Sequence, residues 1–73
     1  MKEKPEVLKK IAKNLKRIRR ENGFSQVKVS RELEIDHRGY QRYERPDQIR
    51  DLRITTLVKF LDYYKIKFEE LTK

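Results

Sequence analysis

Residues 25–45 read S-Q-V-K-V-S-R-E-L-E-I-D-H-R-G-Y-Q-R-Y-E-R. The stretch parses as two short helices joined by a tight turn. Ser25 is a good helix cap, because its hydroxyl accepts a hydrogen bond from a backbone N–H that the helix leaves unpaired. Val29 and Leu33 stand four apart and share one face of the helix that follows. Glu34 and Ile35 form the break, and Asp36 caps a second helix. That helix carries His37, Arg38, Gln41 and Arg42 on one side and Tyr40 and Tyr43 on the other. Helices this short do not hold together alone in water, so the rest of the chain must pack behind them.

The flanking sequence supplies that support. Met1 to Lys4 reads as the body of a short basic arm, 1–5. Pro5 suits the first turn of a helix, where a missing N–H costs nothing. Leu8, Ile11, Leu15 and Ile18, with Ala12 beside them, make one apolar helical stripe. Lys9, Lys10, Lys13, Lys16, Arg17 and Arg20 occupy the other side. Asn22-Gly23 is a good helix stop, and Phe24 should enter the core. After the central pair, 45–53 reads as a polar loop with Pro46, pinned by Ile49 and Leu52. A fourth helix spans about Ile54 to Tyr64, with an apolar face of Ile54, Leu57, Val58, Leu61 and Tyr64. A last turn, Lys67 to Leu71, adds Phe68 and Leu71. There are no repeats and no low-complexity segment.

Composition bounds what such a chain can do. Its 73 residues suffice for one domain, 6–73, around one small core. It has no cysteine and a single histidine, which excludes disulfide staples and makes a protein metal site improbable. No Gly-rich phosphate loop or paired catalytic set emerges, so the expectation is a non-enzyme without cofactor or metal. The charged N-terminus does not resemble a signal peptide, and no segment is apolar enough to span a bilayer. A soluble, cytoplasmic protein is expected. Net charge is +8. Residues 1–45 hold fourteen Lys/Arg against seven Asp/Glu, whereas 46–73 hold six against five. The excess falls on the half with the two short helices and favours a polyanionic partner there.

Ser25-Gln26, Val29, Leu33, Ile35 and Tyr43-Glu44-Arg45 stand at the spacings of the Cro/CI-type helix-turn-helix (Xre) family, which this chain resembles from about Leu8 to Leu71. The resemblance implies an all-α, compact five-helix, lambda-repressor-like DNA-binding domain with its motif at 26–45. The sequence departs from the family pattern at four places. Ser30 stands for a small Ala, Glu34 for the turn Gly, Tyr40 for an aliphatic residue and Lys65 for a terminating Gly. Glu34 in a left-handed conformation would cost about 1 kcal/mol relative to Gly. The expected domain ends where the chain does, without a separate sensor or oligomerisation domain.

An α-helix fits the major groove of B-DNA, where base edges display a readable donor and acceptor pattern. His37, Arg38, Gln41 and Arg42 are spaced to reach it from the start of a helix and one turn later, and the family's base-reading positions fall chiefly on His37, Arg38 and Arg42. Arg can bind guanine O6 and N7 with two hydrogen bonds, and Gln can do likewise with adenine. The alternative is that they are ordinary polar surface residues, with base contact favoured for Arg38 and Arg42. Phosphate contacts are assigned to Ser25, Gln26, Lys28 and Arg45, that of Gln26 by the resemblance. Lys16, Arg17, Arg50 and Arg53 are weaker candidates. The resemblance also implies a partly buried ion pair, Arg19 with Glu44, orienting the second motif helix. Tyr40, Tyr43, Phe24 and Phe68 read as core rather than as a stacking platform for single strands. Phe60, Tyr63 and Ile66 form a candidate dimer or partner patch. Gly39, inside a helix, should cost about 1 kcal/mol relative to Ala. Close approach to DNA, crowding by Tyr40 and simple tolerance all remain open for it.

The reading is a sequence-specific, double-stranded-DNA-binding regulator, expected to be a homodimeric repressor. Competing readings are an antitoxin that binds DNA and a toxin protein, a restriction-modification controller, and a protein-interaction adaptor that has lost DNA reading. Glu34, Gly39 and Tyr40 motivate the adaptor, because they could misplace the reading helix.

Overall fold

A computed structural model describes residues 5–73, and the proposed arm at Met1–Lys4 lies outside them. All regular structure among the described residues is helical: α1 (Glu6–Glu21), α2 (Gln26–Glu32), α3 (His37–Tyr43), α4 (Ile54–Tyr64) and a single 3-10 turn, Phe68–Leu71. The expected fifth helix is thus one tight turn. Pro5 sits just ahead of α1 at its cap position rather than inside the first turn.

The α1 stripe folds as its spacing dictates. Ile11, Ala12, Leu15 and Ile18 are buried, and Leu8 packs against them. The helix stops at Gly23, whose φ of 72° suits a residue without a Cβ. There the N–H of Gly23 bonds the Arg20 carbonyl (2.9 Å) and that of Phe24 the Arg19 carbonyl (3.1 Å), which satisfies carbonyls that the helix end leaves open.

The α2–α3 turn repeats the device with a less suitable residue. Glu34 takes φ 58°, while its N–H reaches the Arg31 carbonyl (3.1 Å) and the Ile35 N–H the Ser30 carbonyl (2.8 Å). The left-handed turn is therefore made without a glycine, at the conformational cost of an L side chain in that region. Lys59 Nζ donates to the Leu33 carbonyl at 3.1 Å and supports this helix end from α4. Ser30, in the place of the small Ala, is buried and satisfies its hydroxyl on the Val27 carbonyl (3.0 Å).

The expected face of α4 is corrected. Phe60 is fully buried, whereas Ile54 is 74% exposed and Val58 47%. Periodicity allowed a face through Ile54 and Val58. The aromatic side of α3 selects another, because the Phe60 ring lies 6.0 Å from both Tyr40 and Tyr43, tilted to the first and edge-on to the second. Leu57, Leu61 and Tyr64 flank it against the core. Lys65 ends α4 in the left-handed conformation (φ 55°).

The C-terminal turn is held by a polar contact that the apolar pattern did not reveal. Asn14, buried on α1, donates to the Leu71 carbonyl at 2.8 Å and accepts from Arg17 Nε and Nη2 at 3.2 and 3.1 Å. The clamp seats Leu71, which is fully buried. Phe68, expected in the core, is at the other end of the turn and stays 43% exposed. Ile49 is fully buried and Leu52 packs on the core, so the loop between α3 and α4 is pinned as its apolar residues suggest.

Candidate nucleic-acid interface

Both motif helices start on side-chain caps. Ser25 Oγ accepts from the Lys28 N–H at 3.0 Å, and Asp36 Oδ2 accepts from the Gly39 N–H at 3.3 Å. From its cap, α3 runs with two unlike sides. Tyr40 and Glu44, one turn apart, face inward and are buried. His37, Arg38 and Arg42 are exposed and Gln41 is half-buried. None of these four makes a side-chain hydrogen bond or ion pair with another described residue.

The inward side is fixed by one carboxylate. Glu44 Oε2 accepts from Arg19 Nε at 2.7 Å and from the Tyr40 hydroxyl. Its Oε1 accepts from Arg19 Nη2 at 3.1 Å and Gln26 Nε2 at 3.0 Å. Arg19 Nη1 also donates to the Phe24 carbonyl at 2.8 Å. Helices α1, α2 and α3 therefore meet on Glu44. Burial by itself would raise this carboxyl, but the hydrogen bonds from Arg19, Tyr40 and Gln26 outweigh it and hold Glu44 below the usual carboxylate range. Its hydrogen bond to Glu44 raises Arg19 further. Burial and then the bond to Glu44 push the Tyr40 phenol upward. The net effect is a buried charge that is paired and fully hydrogen-bonded, the condition under which burial is tolerable.

The expected Arg19–Glu44 pair is thus present, and two partners that the sequence reading missed join it. Tyr40 carried a visible signal, since it precedes Glu44 by four positions on one helix face. Gln26 carried none, because its partner is eighteen residues away. Among the proposed phosphate residues, Gln26 spends an amide hydrogen on Glu44. Lys28 pairs with Glu32 at 2.8 Å and lies 5.1 Å from the centre of the Phe24 ring. Ser25 and Arg45 are exposed. The proposed partner patch is not one open surface. Phe60 is buried under the α3 aromatics. Tyr63 is half-covered, donates to Glu32 and sits 5.9 Å from the Phe24 ring, while Ile66 packs on the core.

A helix-turn-helix family model matches residues 15–71, well over half of the chain. The chain belongs to the Cro/CI-type helix-turn-helix family. No curated protein and no solved structure matches it. The match spans everything from the middle of α1 to the last turn, including Arg19, both motif helices and the α3–α4 loop. Membership in this family of regulators implies binding to double-stranded DNA. No helix among the described residues is long and apolar enough to cross a membrane.

Proposed function

We propose that this Cro/CI-type protein is a sequence-specific transcriptional regulator that acts as a dimeric repressor, with α3 reading the major groove. One observation carries the reading: a helix clamped on its inner side through Tyr40 and Glu44 presents His37, Arg38 and Arg42 outward, without side-chain partners among the described residues. Arg38 and Arg42 serve guanine edges, and His37 and Gln41 adjacent ones. Phosphate contacts by Ser25, Gln26, Lys28 and Arg45 set the register, and the positive charge concentrated in residues 1–45 supplies salt-sensitive affinity. Ile54 and Val58 are the open apolar residues of α4 that a second copy can cover. Two of the three residues that motivate the adaptor alternative are accommodated, Glu34 in a left-handed turn and Tyr40 inward on Glu44, which favours DNA reading over the adaptor.

Selection of bound duplexes from a random pool, with affinity followed against salt, tests the assignment. The expected result is an enriched palindrome with half-sites about 34 Å apart and a steep salt slope. Arg38→Ala and Arg42→Ala should each cost about 1–3 kcal/mol on that duplex and relax its sequence at one position. Intact binding by both variants would refute base reading by α3. A single enriched half-site bound by a monomer would refute the dimer.

A further inference from the structure

Gly39 is the third residue of the seven-residue α3, and glycine is a poor helix former. Its conformation does not ask for it, since Gly23 is the glycine with positive φ among the described residues. Packing does not ask for it either. Apart from its two chain neighbours and the backbone of its own helix, a Cβ built at Gly39 would meet no heavy atom within 4 Å. Tyr40 points inward to Glu44, while the missing side chain of Gly39 would point into open space.

That space is a cleft of about 620 Å3 between α3 and the following loop. Gly39, Arg42 and Tyr43 form one wall, and Asp47, Arg50 and Asp51 belong to the other. The walls carry both signs of charge. Arg42 and Arg50 stand beside Asp47 and Asp51, so the lining offers donors and acceptors together rather than positive charge alone. The major-groove edge of a base pair offers donors and acceptors side by side and matches a mixed lining. Arg42 stands in the same wall, one helical turn after Gly39, with the two-pronged geometry that suits guanine O6 and N7.

We propose that the bare backbone at Gly39 is the floor on which one base pair of the site packs, letting α3 sit deep enough for Arg42 to read its guanine. The inference rests on α3 being the reading helix. Gly39 is then a specificity-determining position at which helix stability is given up for close approach. A methyl group there would hold the groove away from the helix axis and lengthen the Arg42 hydrogen bonds, while leaving the protein better folded.

The test compares the wild type with Gly39→Ala, Gly39→Leu, Arg38→Ala and Arg42→Ala. The probes are the duplex selected from a random pool and a scrambled duplex of equal length. Gly39→Ala should melt roughly 4–8 °C higher. It should bind the selected duplex about tenfold more weakly, with Gly39→Leu weaker still, and should lose discrimination at the base pair that Arg42→Ala also relaxes. Binding to the scrambled duplex should not change. Undiminished binding of Gly39→Ala to the selected duplex, with the arginine variants impaired, would overturn the proposal and leave α3 as the reader. A lower melting temperature for Gly39→Ala would overturn it as well, because glycine would then be required by the fold. If neither arginine variant loses affinity, or no duplex is enriched, the reading by α3 fails and this inference falls with it.

Discussion

Replacing Glu44 with Gln should be among the most damaging single changes in this chain. The substitution keeps the shape but turns one acceptor into a donor at a site that receives four donors: two from Arg19, one from Tyr40 and one from Gln26. At least one donor then faces an amide N–H, and Arg19, whose side chain is only 11% exposed, loses its counter-charge. Removing one member of a buried ion pair costs about 3–5 kcal/mol. The lower end applies here, because Arg19 retains the Phe24 carbonyl at 2.8 Å. A loss of about 3 kcal/mol corresponds to a fall in melting temperature of roughly 12–25 °C for a domain of this size. Urea and thermal unfolding measure it. Tyr40→Phe, which deletes one donor and leaves the pair intact, should cost about 1.5–3 kcal/mol and provides a milder reference. The pH dependence adds a sign. Glu44 lies below the ordinary carboxylate range when folded, so the unfolded chain takes up its proton first as pH falls. The stability gap between wild type and Glu44→Gln should be constant above the ordinary carboxylate range and close as pH drops through the folded value. A loss under about 1 kcal/mol, or a gap that does not change in acid, would show that the Glu44 junction does not hold α3.

Two further outcomes test other parts of the fold. Glu34→Gly relieves an L residue at φ 58° and should raise stability by about 1 kcal/mol, seen as a melting point higher by roughly 4–8 °C; no gain would mean that the turn is not strained. In alkali, burial pushes Tyr64 up to about 12, and burial with the Glu32 bond does the same for Tyr63. Unfolded tyrosine loses its proton near pH ~10. The folded chain then retains protons that the unfolded one has released, so stability should fall as pH rises above about 10. A melting temperature unchanged from about pH 9 to pH 11 would contradict the burial of Tyr64 and the Tyr63–Glu32 bond.

Much of the architecture was legible because it is written in short-range terms. The α1 stripe, the Ser25 and Asp36 caps, the Gly23 stop and the α2–α3 break each depend on residues within about one or two turns of one another. The outward placement of His37, Arg38 and Arg42 followed from the same periodicity, and the family spacing added the distant Arg19–Glu44 pair. The failures share a different cause. Ile54 and Val58 were expected inside and Phe60 near the surface, because α4 is apolar on more than one side and a helical period does not choose among them. Phe68 looked like core because its exposure depends on which end of the last turn Asn14 holds.

The sequence by itself determined where the main helices lie, which family they make and which side of α3 carries His37, Arg38 and Arg42. Those are properties of caps, backbone preference and local periodicity, which neighbouring residues decide among themselves. Only the tertiary structure decided that Gln26 joins Arg19 on Glu44, that Phe60 rather than Val58 enters the core, and that Gly39 faces open space. Each of these depends on how one helix is rotated against another. That rotation is settled by the fit of a few large side chains and by the need to pair buried charge, and it leaves no periodic trace along the chain.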